Sequence, residues 1–108
     1  MKLILAIISS DDANTVIRSL TEGDFTVTKL ATSGGFLMAG NVTIITGVED
    51  ERVDDAIEII RKTSMSRTQP MPAISDTSRG GFFSAPLVEV TVGGATIFVL
   101  PIDHFEKI

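Results

Sequence analysis

The chain has 108 residues, 44% hydrophobic and 21% charged, with 14 acidic and 9 basic side chains and a formal net charge of −5. That describes one domain with a small core, without the basic surface needed to neutralise the phosphates of a nucleic-acid polymer. There is no cysteine, which excludes thiol catalysis, a disulfide framework and Cys-based zinc sites.

Leu3 to Ile8 is a run of six apolar residues. It is too short to span a bilayer or to serve as a signal-peptide core. It reads as a buried strand, and a cytoplasmic location with no membrane contact is the expectation. Ser10, Asp11 and Asp12 offer helix N-caps directly after it. Ala13, Val16, Ile17 and Leu20 then fall at i, i+3, i+4 and i+7, one face of a helix. Gly23 is placed to stop that helix. Phe25 to Thr32, rich in β-branched residues, predicts a strand.

The pattern then recurs. Thr43 to Val48 predicts a strand, Asp50 an N-cap, and Val53, Ala56, Ile57 and Ile60 a helix face. Each part lies 40 residues after its counterpart, Ala13 against Val53 and Leu20 against Ile60. A repeated β-α unit followed by a further strand predicts an α+β fold, a split β-α-β arrangement of the ferredoxin-like kind, with two helices on one face of a mainly antiparallel sheet. The acids Glu49, Asp50, Glu51, Asp54 and Asp55 belong to the first turns of the second helix, where they suit its dipole.

Thr63 to Ala85 shows no periodicity and reads as a long loop within a single domain, either a surface insertion or a segment that orders on a ligand or partner. Arg67 and Arg79 lie in it, within reach of an anion or simply solvated. Leu87 to Val92 alternates as a strand, Gly93-Gly94 predicts a tight hairpin turn, and Ala95 to Leu100 the return strand. Pro101 ends it, and a tail with His104 and Phe105 follows.

Catalytic chemistry has little to stand on. His104 is the one histidine, with no ligand-spaced acids around it, so no metal and no cofactor is expected. No serine sits in a Gly-x-Ser-x-Gly setting, and no phosphate-loop or dinucleotide glycine motif follows a strand. The residues argue against an enzyme and for recognition.

The recognition candidate is the stretch from Thr28 to Asn41. Gly34 and Gly35 expose backbone amides, and Phe36 and Leu37 offer apolar surface for a base. Asn41 can donate and accept at a purine edge, and Gly47 interrupts a strand as close ligand approach requires. The alternative is a strand-to-strand turn whose Phe36 reaches back into the core.

The run T-K-L-A-T-x-G-G-F-L-x-x-G-N-x-T at Thr28 to Thr43 resembles the PII-like receptors for cyclic di-AMP, the PstA/DarA family. Gly47-Val48, Asp50, Arg52-Val53 and the late run from Val88 to Asp103 fit the same pattern, so the likeness covers most of residues 1–63 and 87–105. The resemblance implies a ferredoxin-like homotrimer, a non-enzymatic signal-transduction protein that holds one cyclic di-AMP in each cleft between subunits. By position it assigns Thr28, Gly35, Phe36, Leu37, Asn41, Gly47 and Phe98 to the nucleotide, with Phe98 near an adenine. It further implies that ligand binding reorganises the loops and changes which downstream protein partner is recognised. The chain departs from the family at three positions and in the lead into the late strand, where Phe82-Phe83-Ser84-Ala85-Pro86 replaces a Tyr-containing segment. Thr26 stands where the family has Arg, Asp24 where it has Asn, and Lys107 where it has Gln. These mark Asp24, Thr26 and Lys107 as further contacts, and they open an alternative: a diverged adaptor that binds another nucleotide or acts by protein contact.

Overall fold

The computed structural model describes residues 1–30, 40–72 and 87–108. In chain order the elements are β1 (Lys2–Ser9), α1 (Ser10–Glu22), β2 (Thr28–Leu30), β3 (Asn41–Val48), a 3-10 turn (Asp50–Arg52), α2 (Val53–Ser64), β4 (Arg67–Pro72), β5 (Leu87–Val92) and β6 (Ala95–Pro101). Four strands form one sheet in the order β2-β3-β1-β6, every neighbour antiparallel. β3 lies between β1 and β2, and β1 lies between β3 and β6. Two split β-α-β units therefore interlock, which is the predicted α+β arrangement.

The period-2 alternation of β1 decides which face is covered. Ile4, Ala6 and Ile8 are at most 1% exposed and meet Ile44 and Val48 of β3. Ala13, Val16 and Leu20 of α1 and Ala56 and Ile60 of α2 close over them in one core cluster. Each fully buried Leu or Ile there contributes roughly 1.5–3 kcal/mol by leaving water.

The ends of α1 differ from expectation in an instructive way. Its cap is Ser9, whose hydroxyl accepts from the Asp11 amide at 3.3 Å, one residue before the predicted candidates. Gly23 is its C-cap, as predicted, but at φ −84° and not in the left-handed region. Asp24 instead adopts φ +67°. Its amide donates to the Thr21 carbonyl and the Phe25 amide to the Leu20 carbonyl, both at 3.0 Å. That pair of bonds is the Schellman closure, with the left-handed residue at Asp24. Asp and Asn tolerate that conformation better than other side chains. Gly23 serves packing: a Cβ there would meet Ile59 at 3.1 Å and Phe25 at 3.3 Å. Phe25 consequently enters the core instead of beginning a strand, and β2 starts only at Thr28. Arg52 fastens the turn, donating to the Gly23 carbonyl at 3.0 Å and lying 4.1 Å over the Phe25 ring. Before α2, Asp50 opens a 3-10 turn where an N-cap is predicted.

The largest departure follows α2. The helix runs on to Ser64, and Arg67–Pro72 is a strand, paired antiparallel with β5 from Arg67↔Val92 to Pro72↔Leu87. The segment from Thr63 is thus not a loop as far as Pro72; its remainder, with Arg79 and Phe82-Phe83, lies outside the described residues. Pro70 and Pro72 hid the strand. They are two apart, so both occupy the same kind of ladder position, and alternate N–H groups of a two-stranded pair point away from the partner. Gly93-Gly94 is likewise not the turn of a hairpin between β5 and β6. β5 pairs with β4 while β6 pairs with β1, so the two glycines carry the chain from ribbon to sheet at φ +78° and +88°.

Candidate functional site

Opposed residues in an antiparallel pair share a face, so the register defines the side of the sheet that the helices leave open. Leu3, Leu5 and Ile7 of β1 face the same way as Thr43, Ile45 and Gly47 of β3 and Thr96, Phe98 and Leu100 of β6. Thr28 and Leu30 of β2 join them through Ile45 and Thr43. This face is apolar yet exposed: Phe98 is 51% and Leu100 43% accessible.

At one end of this face lies a cavity of about 500 Å³, within the size range of small-molecule sites. Leu3, Ile45 and Gly47 supply its floor from β1 and β3. Thr26 and Thr28 come from the approach to β2 and from β2 itself, and Ile102, Phe105, Glu106 and Lys107 come from the tail. The Ile102 amide donates to the Met1 carbonyl at 3.2 Å, which ties the tail to β1. The buried Thr46 hydroxyl donates to the Thr26 carbonyl at 2.6 Å, holding the approach to β2 against β3. Gly47 matters here by its missing side chain: a Cβ would meet only Ile102 Cδ1, at 3.9 Å, so the added bulk would project into open space. Apolar floor, the threonines at 26 and 28, the Glu106 carboxylate and the Lys107 ammonium make a site suited to a flat apolar group carrying polar edges. Among the described residues no cluster of acids and histidine could hold a metal ion.

The predicted residues divide three ways. Thr28, Gly47, Thr26 and Lys107 come together in this cavity. Phe98 stands on the same open face, opposite Leu5 and two residues along β6 from Leu100, which is opposite Leu3. Asn41 is at the far end of β3 opposite Ser9, about 20 Å of strand from Gly47. Asp24 does not line the cavity; its part is the turn that closes α1. Gly35, Phe36 and Leu37 lie outside the described residues. Lys29 pairs with Ile44 and so takes the face opposite to Thr28. Arg67 is not available to an anion, because it binds Asp12.

The chain matches the Cyclic-di-AMP receptor family over residues 1–108. It belongs to that family. The chain is also similar to a functionally unknown protein from Pediococcus pentosaceus ATCC 25745 seen in a crystal structure, at 39% identity and a TM-score of 0.76. That likeness covers 99% of this chain and 96% of the other.

For a member of the cyclic-di-AMP receptor family, the cavity adds residues that the sequence pattern did not single out. Phe105 and Ile102 carry no periodicity, since the tail is neither helix nor strand. The one signal of Phe105 was apolar bulk after a strand-ending proline, and that of Ile102 its place in the late run from Val88 to Asp103. Leu3 was readable only as strand, and Met1 carried no signal. Near the cavity, the Met1 ammonium lies 2.9 Å from the Asp50 carboxylate and holds that carboxyl below its ordinary value of 3.8. Among the described residues no helix is long and apolar enough to cross a membrane.

Proposed function

We propose that this protein is a cytoplasmic, non-enzymatic signalling receptor that binds cyclic di-AMP between the subunits of a homotrimer. Family membership over the whole chain is the observation that carries this reading. The open apolar face supports it, since Leu5, Phe98 and Leu100 are the kind of surface a neighbouring subunit covers. The cavity at the edge of that face would take part of the nucleotide from one subunit. Residues such as Asn41, too far along β3 to reach the same cavity, would serve a neighbouring cleft or another part of the ligand. Gly35, Phe36 and Leu37 would supply backbone amides and a base-contacting surface. The ligand is the messenger itself, with no cofactor or metal, and its binding would change contact with a downstream protein partner.

Titration calorimetry with cyclic di-AMP, with ATP and cyclic di-GMP as controls, tests the ligand. Light scattering tests the trimer. Absence of heat with cyclic di-AMP at high micromolar protein sinks the ligand assignment.

Thr26 favours a second reading. It lines the cavity at the position where the family carries Arg, and a charge-assisted contact contributes roughly 1.5–3 kcal/mol. A diverged receptor for another nucleotide would accept that loss. Under this reading Thr26→Arg raises cyclic di-AMP affinity by about one to two decades, and an unchanged affinity counts against it.

A further inference from the structure

We propose that the first turn of α1 is a joint coupling the chain that leaves positions 31–39 to the β4–β5 ribbon, latched by the Asp12–Arg67 pair.

Three attachments meet at this turn. The Ser10 amide donates to the carbonyl of Gly40 at 2.7 Å, so the turn holds the residue through which the chain enters β3. Two residues later, Asp12 receives both arms of Arg67, Nη2 to Oδ1 at 2.9 Å and Nη1 to Oδ2 at 3.2 Å. The Asp12 side chain is only 10% exposed, and Arg67 is the first residue of the ribbon. Two parallel charge-assisted bonds fix direction as well as distance, which a point charge on a flexible stem does not. The hydrogen bond from Arg67 to Asp12 also keeps the guanidinium protonated, above its already high ordinary value.

The third attachment is steric. Gly93, where the chain leaves β5, presents its α-carbon to the pair. A Cβ there would stand 2.6 Å from Arg67 Nη1 and 3.1 Å from Asp12 Oδ2, and φ is +78°. The Gly94 amide donates to the Ser64 carbonyl, pinning the other strand of the ribbon to the end of α2. No residue of β4 or β5 belongs to the core cluster among the described residues. The joint and the Gly94–Ser64 bond tie the base of the ribbon to the two helices. The first turn of a helix moves as a unit, so whatever fixes the Gly40 carbonyl biases Asp12 and with it the ribbon.

As a route for ligand information, the joint rests on the proposal that positions 35–37 contact the nucleotide; as a mechanical coupling it does not. The test is built accordingly. Amide hydrogen exchange of β4 and β5 is followed by mass spectrometry in the wild type, Asp12→Asn, Gly40→Ala and the double variant, without nucleotide, using β1 and β3 amides as internal reference. Asp12→Asn should speed ribbon exchange by about tenfold or more, as loss of a charge-assisted pair implies, with the reference amides within about twofold. Arg67→Lys, which keeps the charge and loses the fork, should act in the same direction by less. Gly40 has φ +99°, so Gly40→Ala strains that residue and should change ribbon exchange only where Asp12 is intact. Unchanged ribbon exchange in Asp12→Asn, or an equal effect of Gly40→Ala with and without Asp12, overturns the joint. Cyclic di-AMP is then added at saturation. A ribbon response in the wild type that disappears in Asp12→Asn, with binding retained, supports the route; an equal response in both, or binding with none in the wild type, overturns it. Absence of binding in both removes the nucleotide reading, and the nucleotide-free variants still decide the joint.

Discussion

On β1, Ile4, Ala6 and Ile8 are sealed beneath two helices, while Leu3, Leu5 and Ile7, just as apolar, stay only partly covered. The same division crosses the sheet to β6, where Ile97 packs against the core and Phe98 and Leu100 face outward. The two helices among the described residues cover one face. The other face shows what the chain leaves to something else: a cavity at one end and bare apolar strand surface beside it. The helix-covered face holds the fold, and the open face holds every described residue proposed to meet a ligand or a second subunit, Asn41 at its far end included, apart from Asp24, Thr26 and the cavity's tail residues.

The sharpest way to break this contrast is to cut the covered face. Ile60→Ala, at a position with no exposure, should cost about 2–5 kcal/mol by lost transfer and the cavity left behind, read as a lowered urea midpoint. On the open face the same kind of change should act elsewhere. Phe98→Asp should shift the assembly towards monomer by light scattering while moving monomer stability by only about 0.5 kcal/mol. A large loss of monomer stability would show that the two faces are not distinct. Gly47→Val should fill the cavity without a clash at its Cβ, lowering cyclic di-AMP affinity at least about tenfold, about 1.4 kcal/mol, in a normally folded protein.

Smaller effects test the turn that leads into the cavity. Asp24→Ala, placing a side chain with no local hydrogen bond at φ +67°, should cost about 1 kcal/mol, and Asp24→Gly less or nothing. Equal losses for both would show that the Asp24 carboxylate matters and not its backbone. The smallest concerns Asp50, an exposed carboxylate held below its ordinary value by the Met1 ammonium. A lowered folded-state value makes its contribution complete above about pH 4 and lost as pH falls through the lowered value. Asp50→Asn should therefore flatten the acid side of the Tm-against-pH curve.

Much of the fold was legible because its signals are local and periodic. The two helix faces at Ala13–Leu20 and Val53–Ile60 and the offset between them are properties of the string, and they forced the split β-α-β order. The ribbon was not legible. β4 is built from Arg67, Thr68, Gln69, Met71 and two prolines, with no apolar alternation, and it is a strand because β5 pairs with it. Arg67 read as a loop cation for the same reason: Asp12, its partner, is 55 positions away. The end of α1 was legible in part: Gly23 caps the helix as its sequence position suggests, while the left-handed residue is the next one, Asp24.

The candidate site divides along the same line. Thr28 and Gly47 carried signals in the sequence, one through a motif and one as a glycine inside a strand. Their meeting with Thr26, Lys107, Phe105 and Ile102 required the pairing of β2 with β3 and the tail's hydrogen bond to Met1. The sequence alone determined the two β-α units and the family pattern, because period and motif act over a few residues. Tertiary structure alone decided which apolar face stays open, where Arg67 is spent and what closes the cavity, because each depends on contacts between residues far apart along the chain.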